Sequence, residues 1–294
     1  MEYLMLLIVV ATMMINTIAQ KQYNLKAKHH EPFLFLSVFI YVAMIFFVFS
    51  SGFKLEFNSA VLPYSIIFAI CFALSFLTTF MAIKTGPLSI TLLVTTYSLI
   101  VPTFYGMIFL GDKIGALAYI GIVLIMVSLL LVNIQKRSKA DDVDKSTPKI
   151  TLKWVLWLVS AFFVNGFNSV IQKEQQLKFD GAYKSEFMIV GLFIAATVLF
   201  ICAFLFGNAR TEFLHKFKEC VKYGIFGGVA NGAMNLGVLI LTGLIPTAIL
   251  FPSISGGGVI AGFVISRFLY KEKLSPVQIA GYVIGTISVI ILNL

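Results

Sequence analysis

Asn16 and Gln20 stand four residues apart, with Thr12 one turn earlier, so a helix through them puts three hydrogen-bonding side chains on one face. Asn165, Asn168 and Gln172 repeat the pattern, and Asn231 and Asn235 repeat it again. Two further groups are rich in hydroxyls: Thr91, Thr95, Thr96, Tyr97 and Ser98 in one run, Ser253 and Ser255 in another. All of them lie inside long apolar stretches. Amides and hydroxyls in such a place recognise polar groups, because an unpartnered one in an apolar medium costs roughly 2–7 kcal/mol. They must join neighbouring helices or line a wet cavity in which a solute can take the place of water. Bond-making chemistry needs other residues. No apolar run holds a His or an internal Asp, and neither an H-E-x-x-H helix nor a G-x-S-x-G elbow occurs. His29, His30 and His215 fall between the runs and form no metal set, while Cys71, Cys202 and Cys220 are widely separated, and Cys71 and Cys202, inside apolar runs, are expected to pack. The expectation is a protein that is not an enzyme and uses no cofactor or metal.

The elements that hold these residues follow from composition. Of 294 residues 59% are apolar and 12% charged, against roughly 25% charged in soluble domains. The chain belongs in a lipid bilayer. Its net charge of +9 sits in short loops, where it sets orientation and meets anionic lipid, so nucleic acid is not an expected partner. Runs long enough to cross some 30 Å of hydrocarbon as helices lie near 3–20, 33–51, 62–83, 88–110, 115–133, 153–172, 185–206, 222–242, 246–269 and 276–294. The first begins at Tyr3 without a basic leader and reads as a true span. Trp154 and Trp157 open the sixth run and are expected to anchor it at the interface. Lys84, Lys173, Glu174 and Arg267 fall near span ends, where snorkelling to the headgroups is expected.

The two halves repeat. Asn16-Thr17-Ile18-Ala19-Gln20-Lys21 returns as Asn168-Ser169-Val170-Ile171-Gln172-Lys173. Leu110-Gly111-Asp112-Lys113-Ile114 with Gly121 pairs with Tyr270-Lys271-Glu272-Lys273-Leu274 with Gly281, and Asn133 and Asn293 close both last runs. The expected fold is an all-α integral membrane protein of ten transmembrane helices arranged as two inverted five-helix repeats. The first repeat would be 1–134, a hydrophilic linker 135–150, and the second repeat 151–294. An odd number of spans per repeat inverts the second copy, and inverted repeats place a substrate site at mid-membrane. About five Lys/Arg fall on the amino-terminal side and about seventeen on the other, which puts both termini outside the cell. A bacterial plasma membrane is the expected location.

The run Thr85-Gly86-Pro87-Leu88-Ser89…Pro102…Leu110-Gly111-Asp112-Lys113…Gly121 resembles the drug/metabolite transporter superfamily, in particular its EamA-type ten-helix members. There a Pro-containing fourth span leads to a Leu-Gly-Glu-like turn and a Gly-rich fifth span. Asp112 stands where the family usually has Glu, and the second half keeps Glu272 but has Tyr270-Lys271 in place of Leu-Gly. The resemblance implies a transporter working by alternating access. Small multidrug members carry a proton-coupling Glu within the first span; here Glu2 lies at the terminus and no other acid follows it there.

The residues then suggest a secondary transporter for a small neutral or zwitterionic metabolite or drug. Its expected substrate-binding residues are Asn16, Gln20, Thr95, Tyr97, Ser98, Asn165, Asn168, Gln172, Asn231, Asn235, Ser253 and Ser255. Pro102, Pro252 and the triple glycine Gly256, Gly257 and Gly258 are expected hinges, since bent helices at matching places in both halves mark a transport site. Glue between helices is the competing reading of the amide stripes, and tight packing that of the glycines. A nucleotide-sugar or phosphorylated-sugar exchanger and a passive channel or scramblase are the alternative functions. The expected partners are a small-molecule substrate and the bilayer, with the chain as a monomer or weak homodimer.

Overall fold

A helix is the form in which a single apolar run satisfies its own backbone in lipid, and ten α-helices occur among the described residues. A computed structural model of the chain describes residues 2–28, 30–56, 58–85, 91, 94–95, 97–113, 115–133, 151–264, 268 and 275–292. In order they are α1 (Glu2–Lys26), α2 (Pro32–Ser50), α3 (Leu62–Thr85), α4 (Ile100–Phe109), α5 (Ala116–Asn133), α6 (Leu152–Lys178), α7 (Lys184–Leu205), α8 (Phe213–Leu244), α9 (Thr247–Val264) and α10 (Pro276–Leu292). Two short 3-10 turns, Ser59–Val61 and Tyr97–Leu99, precede α3 and α4. The ten match the ten expected runs in order. Six are long and apolar enough to cross a membrane: those within Glu2–Gln20, Pro32–Ser50, Ser59–Ala82, Leu152–Lys178, Lys184–Leu205 and Phe213–Leu244. The other four are apolar but shorter, at Tyr97–Phe109, Ala116–Leu131, Thr247–Ala261 and Pro276–Ile291. Gly86-Pro87, Thr96, the linker, Arg267, Glu272 and Asn293 lie outside the described residues.

Three helices run well past their expected ends. The first continues from Gln20 to Lys26, the sixth through Lys173 and Glu174 to Lys178, and the eighth begins at Phe213 instead of 222. All three extensions are rich in polar residues, and hydropathy marks only the part of a helix that lipid must cover. The outer surface carries large apolar side chains such as Leu7, Ile108 and Phe226, at 67%, 68% and 75% exposure, an arrangement that water would penalise and lipid does not.

The chain groups into two units, residues 1–73 with 171–244 and residues 74–170 with 245–294. Each draws on both halves of the sequence; two of the three cuts fall inside α3 and α6, and the third falls between α8 and α9. In the first unit α8 packs on α1 and α2, and α2 packs on α7. Glycine makes this possible: a Cβ on Gly228 would lie 2.6 Å from the Phe39 carbonyl oxygen, and one on Gly227 2.7 Å from the Ala19 methyl. Stacked Tyr23 and Phe35 rings, 4.0 Å between centroids, fill the same interior. In the second unit α10 packs on α5, and α9 on α4, α5 and α10. Ile125, Leu129, Val259 and Tyr282 form one core there, and Ala82, Trp154 and Leu158 another.

Trp154 corrects an expectation. It is buried, and its indole N–H donates to Thr91 Oγ1 at 3.1 Å. An indole needs a partner for its single donor, and Thr91 supplies one inside the protein in place of the headgroup region. Asp112 also has a definite task. Its Oδ2 accepts the Ala248 N–H at 3.0 Å, in the first turn of α9, where amides have no partner within their own helix. Gly106 leaves room for it, since a Cβ there would collide with Asp112 Oδ2 and lie 2.8 Å from Thr247 Cβ.

Candidate functional site

In the second unit, Ser75, Phe76 and Thr79 of α3, Thr95, and Asn165 of α6 line a cavity of about 250 Å³. Ser75 and Thr79 are four apart and share a helix face. Thr95 Oγ1 donates to the Thr91 carbonyl at 3.0 Å, which fixes its rotamer. The lining offers hydroxyl donors and acceptors and one carboxamide, and no ionisable side chain. Asn168 lies one turn beyond Asn165 on α6; it is buried, and its Oδ1 has no hydrogen-bond partner among the described residues. Ser75 and Thr79 escaped the sequence reading because they are small hydroxyls in a Phe- and Leu-rich run, with no amide stripe to mark the face.

Tyr97 takes a different position. Together with Pro252 and Ser255 it lines a second, apolar cavity of about 220 Å³ in the same unit, and its hydroxyl donates to the Met126 carbonyl at 2.5 Å. Ser255 Oγ donates to the Phe251 carbonyl at 2.9 Å, within its own helix. Ser98 and Ser253 are buried. Pro102 sits in the first turn of α4, where its missing N–H breaks no helical bond. Pro252 is inside α9, and Gly256, Gly257 and Gly258 continue that helix without a break. Gly256 is a packing contact, since a Cβ there would collide with the Val289 side chain.

The remaining amides belong to the first unit. Gln20 Nε2 donates to Asn16 Oδ1 at 2.5 Å along α1. Gln172 Nε2 donates to Asn235 Oδ1 at 3.4 Å, and Asn235 Nδ2 donates to Asn231 Oδ1 at 3.0 Å and to its carbonyl at 2.9 Å. The repeated hexapeptide is thus wired in two ways. In its first copy the Gln serves the Asn four residues back; in its second the Gln turns to α8. Lys173 departs from the snorkelling expected of it. It is buried, and its Nζ donates to the Thr242 carbonyl at 2.6 Å, near the carboxyl end of α8, where the helix dipole favours a cation.

A second buried cluster in this unit was not marked by any motif. Glu31 is 2% exposed, and its Oε2 accepts the Asn208 N–H at 2.6 Å. Its own N–H donates to Tyr23 Oη at 2.8 Å, and Tyr23 Oη lies 3.7 Å from Cys220 Sγ. Glu31 Oε1 has no partner among the described residues and lies where a Gly207 side chain would be. This carboxylate ties the loop before α2 to the loop after α7.

No curated protein matches this chain. Among solved structures 27 chains match. One, titled "Crystal structure of protein", is 11% identical, covers 99% of this chain and 95% of its own, and superposes with a TM-score of 0.75, which establishes a shared fold. Residues 1–134, just under half of the chain, match the model described as the EamA-like transporter family, which is consistent with the drug/metabolite transporter superfamily.

Proposed function

We propose that the protein is a secondary transporter that carries a small neutral or zwitterionic metabolite or drug by alternating access, with the polar cavity of the second unit in its substrate site. The observation that carries this reading is the lining of that cavity, hydroxyls and a carboxamide with no fixed charge. A strongly anionic substrate would call for Arg or Lys there, and a cation for an acid or an aromatic cage. At about 250 Å³ the cavity is just under the roughly 300–1,000 Å³ of pockets for drug-sized ligands, which favours a small solute. The family match over residues 1–134 supports transport as the activity. In this reading the two sequence halves are inverted repeats and both termini face outward. The bend point is α9, where Pro252 leaves the Ala248 carbonyl without its helical amide.

The test is ligand-dependent thermal stabilisation of detergent-purified protein, followed by counterflow in liposomes. The panel holds amino acids, nucleosides, sugars, phosphorylated sugars and quaternary cations. A ligand at 100 times its dissociation constant stabilises by about 2.7 kcal/mol. A neutral or zwitterionic hit that is lost in Asn165→Ala and Asn168→Ala supports the reading. Stabilisation by phosphorylated compounds or cations alone, or unchanged binding in both variants, overturns it.

A further inference from the structure

The apolar cavity of the second unit plays no part in the proposed transport site, and its lining says what it accepts. Four hydroxyl-bearing residues border it. Three are committed to backbone carbonyls: Tyr97 to Met126 at 2.5 Å, Thr103 to Leu99 at 2.9 Å and Ser255 to Phe251 at 2.9 Å. The fourth, Tyr119, is half exposed. The inner wall therefore offers a ligand carbon surface from Met107, Ile122, Met126 and Leu129 and no unmet polar group. A polar solute entering it would lose its hydration and gain no hydrogen bond in return. Water is excluded for the same reason, since cavities lined by apolar side chains stay dry.

Its surroundings identify the occupant. Phe104, Tyr119 and Val123, which also border the cavity, are 50%, 50% and 58% exposed. The same helices, α4 and α5, turn Ile108, Phe109, Ile120 and Leu130 outward, an apolar surface that only lipid suits. An empty apolar recess beside lipid forfeits dispersion contacts on one side of every lining atom. At about 220 Å³ it exceeds the cavity of roughly 150 Å³ that holds a benzene molecule. We propose that this cavity is an acyl-chain site, filled from the bilayer by one tail of a phospholipid. Pro252 and Ser255 form part of its wall, so the chain lies against α9 at its internal proline.

The experiment uses the full chain in phosphatidylcholine vesicles doped with a phospholipid that carries a diazirine at the end of one acyl chain. Irradiation, digestion and mass spectrometry then locate the adducts. The expected result is labelling of inner residues Met107, Ile122 and Met126, which decane suppresses while adducts on the outward Ile120 and Leu130 persist. Ile122→Trp, which fills the cavity, should lose the inner adducts. The decane competition decides the matter on the wild-type chain if that variant does not fold. Adducts confined to the outward residues, or inner adducts that decane does not suppress, overturn the proposal. Inner labelling from a diazirine in the headgroup overturns it in favour of a polar occupant.

Discussion

Asp112 offers the sharpest test of how the turn after α4 works. Its carboxylate holds the Ala248 N–H in the first turn of α9, so it supplies both a hydrogen-bond acceptor and a negative charge at the positive end of the helix. Loss of a capping side chain to Ala costs about 0.5–2 kcal/mol, and the charge alone is worth about 0.3–1 kcal/mol. Asp112→Asn keeps an oxygen acceptor and should lose only the smaller amount; Asp112→Ala should lose about 1–2 kcal/mol. At about 2 °C per kcal/mol for a chain of this size, Tm should fall by about 1–2 °C for Asn and about 2–4 °C for Ala. Gly106→Ala leaves Asp112 in the sequence but puts a methyl where the carboxylate lies, so its loss should resemble that of Asp112→Ala. Thermal unfolding of the detergent-purified variants is the assay. Equal losses for Asn and Ala, or a Gly106→Ala protein as stable as wild type, would refute the capping role.

Three further outcomes are expected. Gly256→Leu should destabilise by about 1–3 kcal/mol through overpacking, and Val289→Ala, which shortens the side chain it strikes, should restore part of the loss in thermal unfolding. Thr79→Val should weaken a ligand that uses the polar cavity about tenfold, or about 1.4 kcal/mol for one hydrogen bond, with folding unchanged in thermal melts. Trp154→Phe should cost about 1 kcal/mol by removing the bond to Thr91; a variant as stable as wild type would show that this bond contributes nothing to stability.

The ten helices were legible because each lies in a long apolar run, a signal that depends on composition alone, although only six of them are themselves of membrane length. Their polar ends were not, since Lys173 and Glu174 in α6 and Lys216 and Lys218 in α8 look like loop residues to hydropathy. The placement of the candidate residues was legible in part. Asn165 and Thr95 come together at one cavity, and Gln172, Asn235 and Asn231 join in one hydrogen-bonded chain. Tyr97 was chosen for its place in mid-run, but its hydroxyl is spent on Met126, a partner far along the chain that no local pattern reveals. Lys173 and Trp154 were misread for the same reason. Position near a span end fixes depth, whereas burial depends on which helix packs alongside.

The discontinuity of the first unit has a consequence for synthesis. Residues 1–73 emerge early, but their packing partners α7 and α8 lie within 184–244. At the usual ribosome pace of roughly 5–20 residues per second, the last of them is complete on the order of 10–35 s later. Through that interval α1 has no α8 to pack against, and its Asn16 and Gln20 would be exposed amides. The bond from Gln20 to Asn16 within α1 needs no second helix, so the first span can enter the bilayer with part of its polar demand already met. The corresponding Gln172 is made late, only about sixty residues before Asn235 at the usual pace, and can be left to find a partner on another helix.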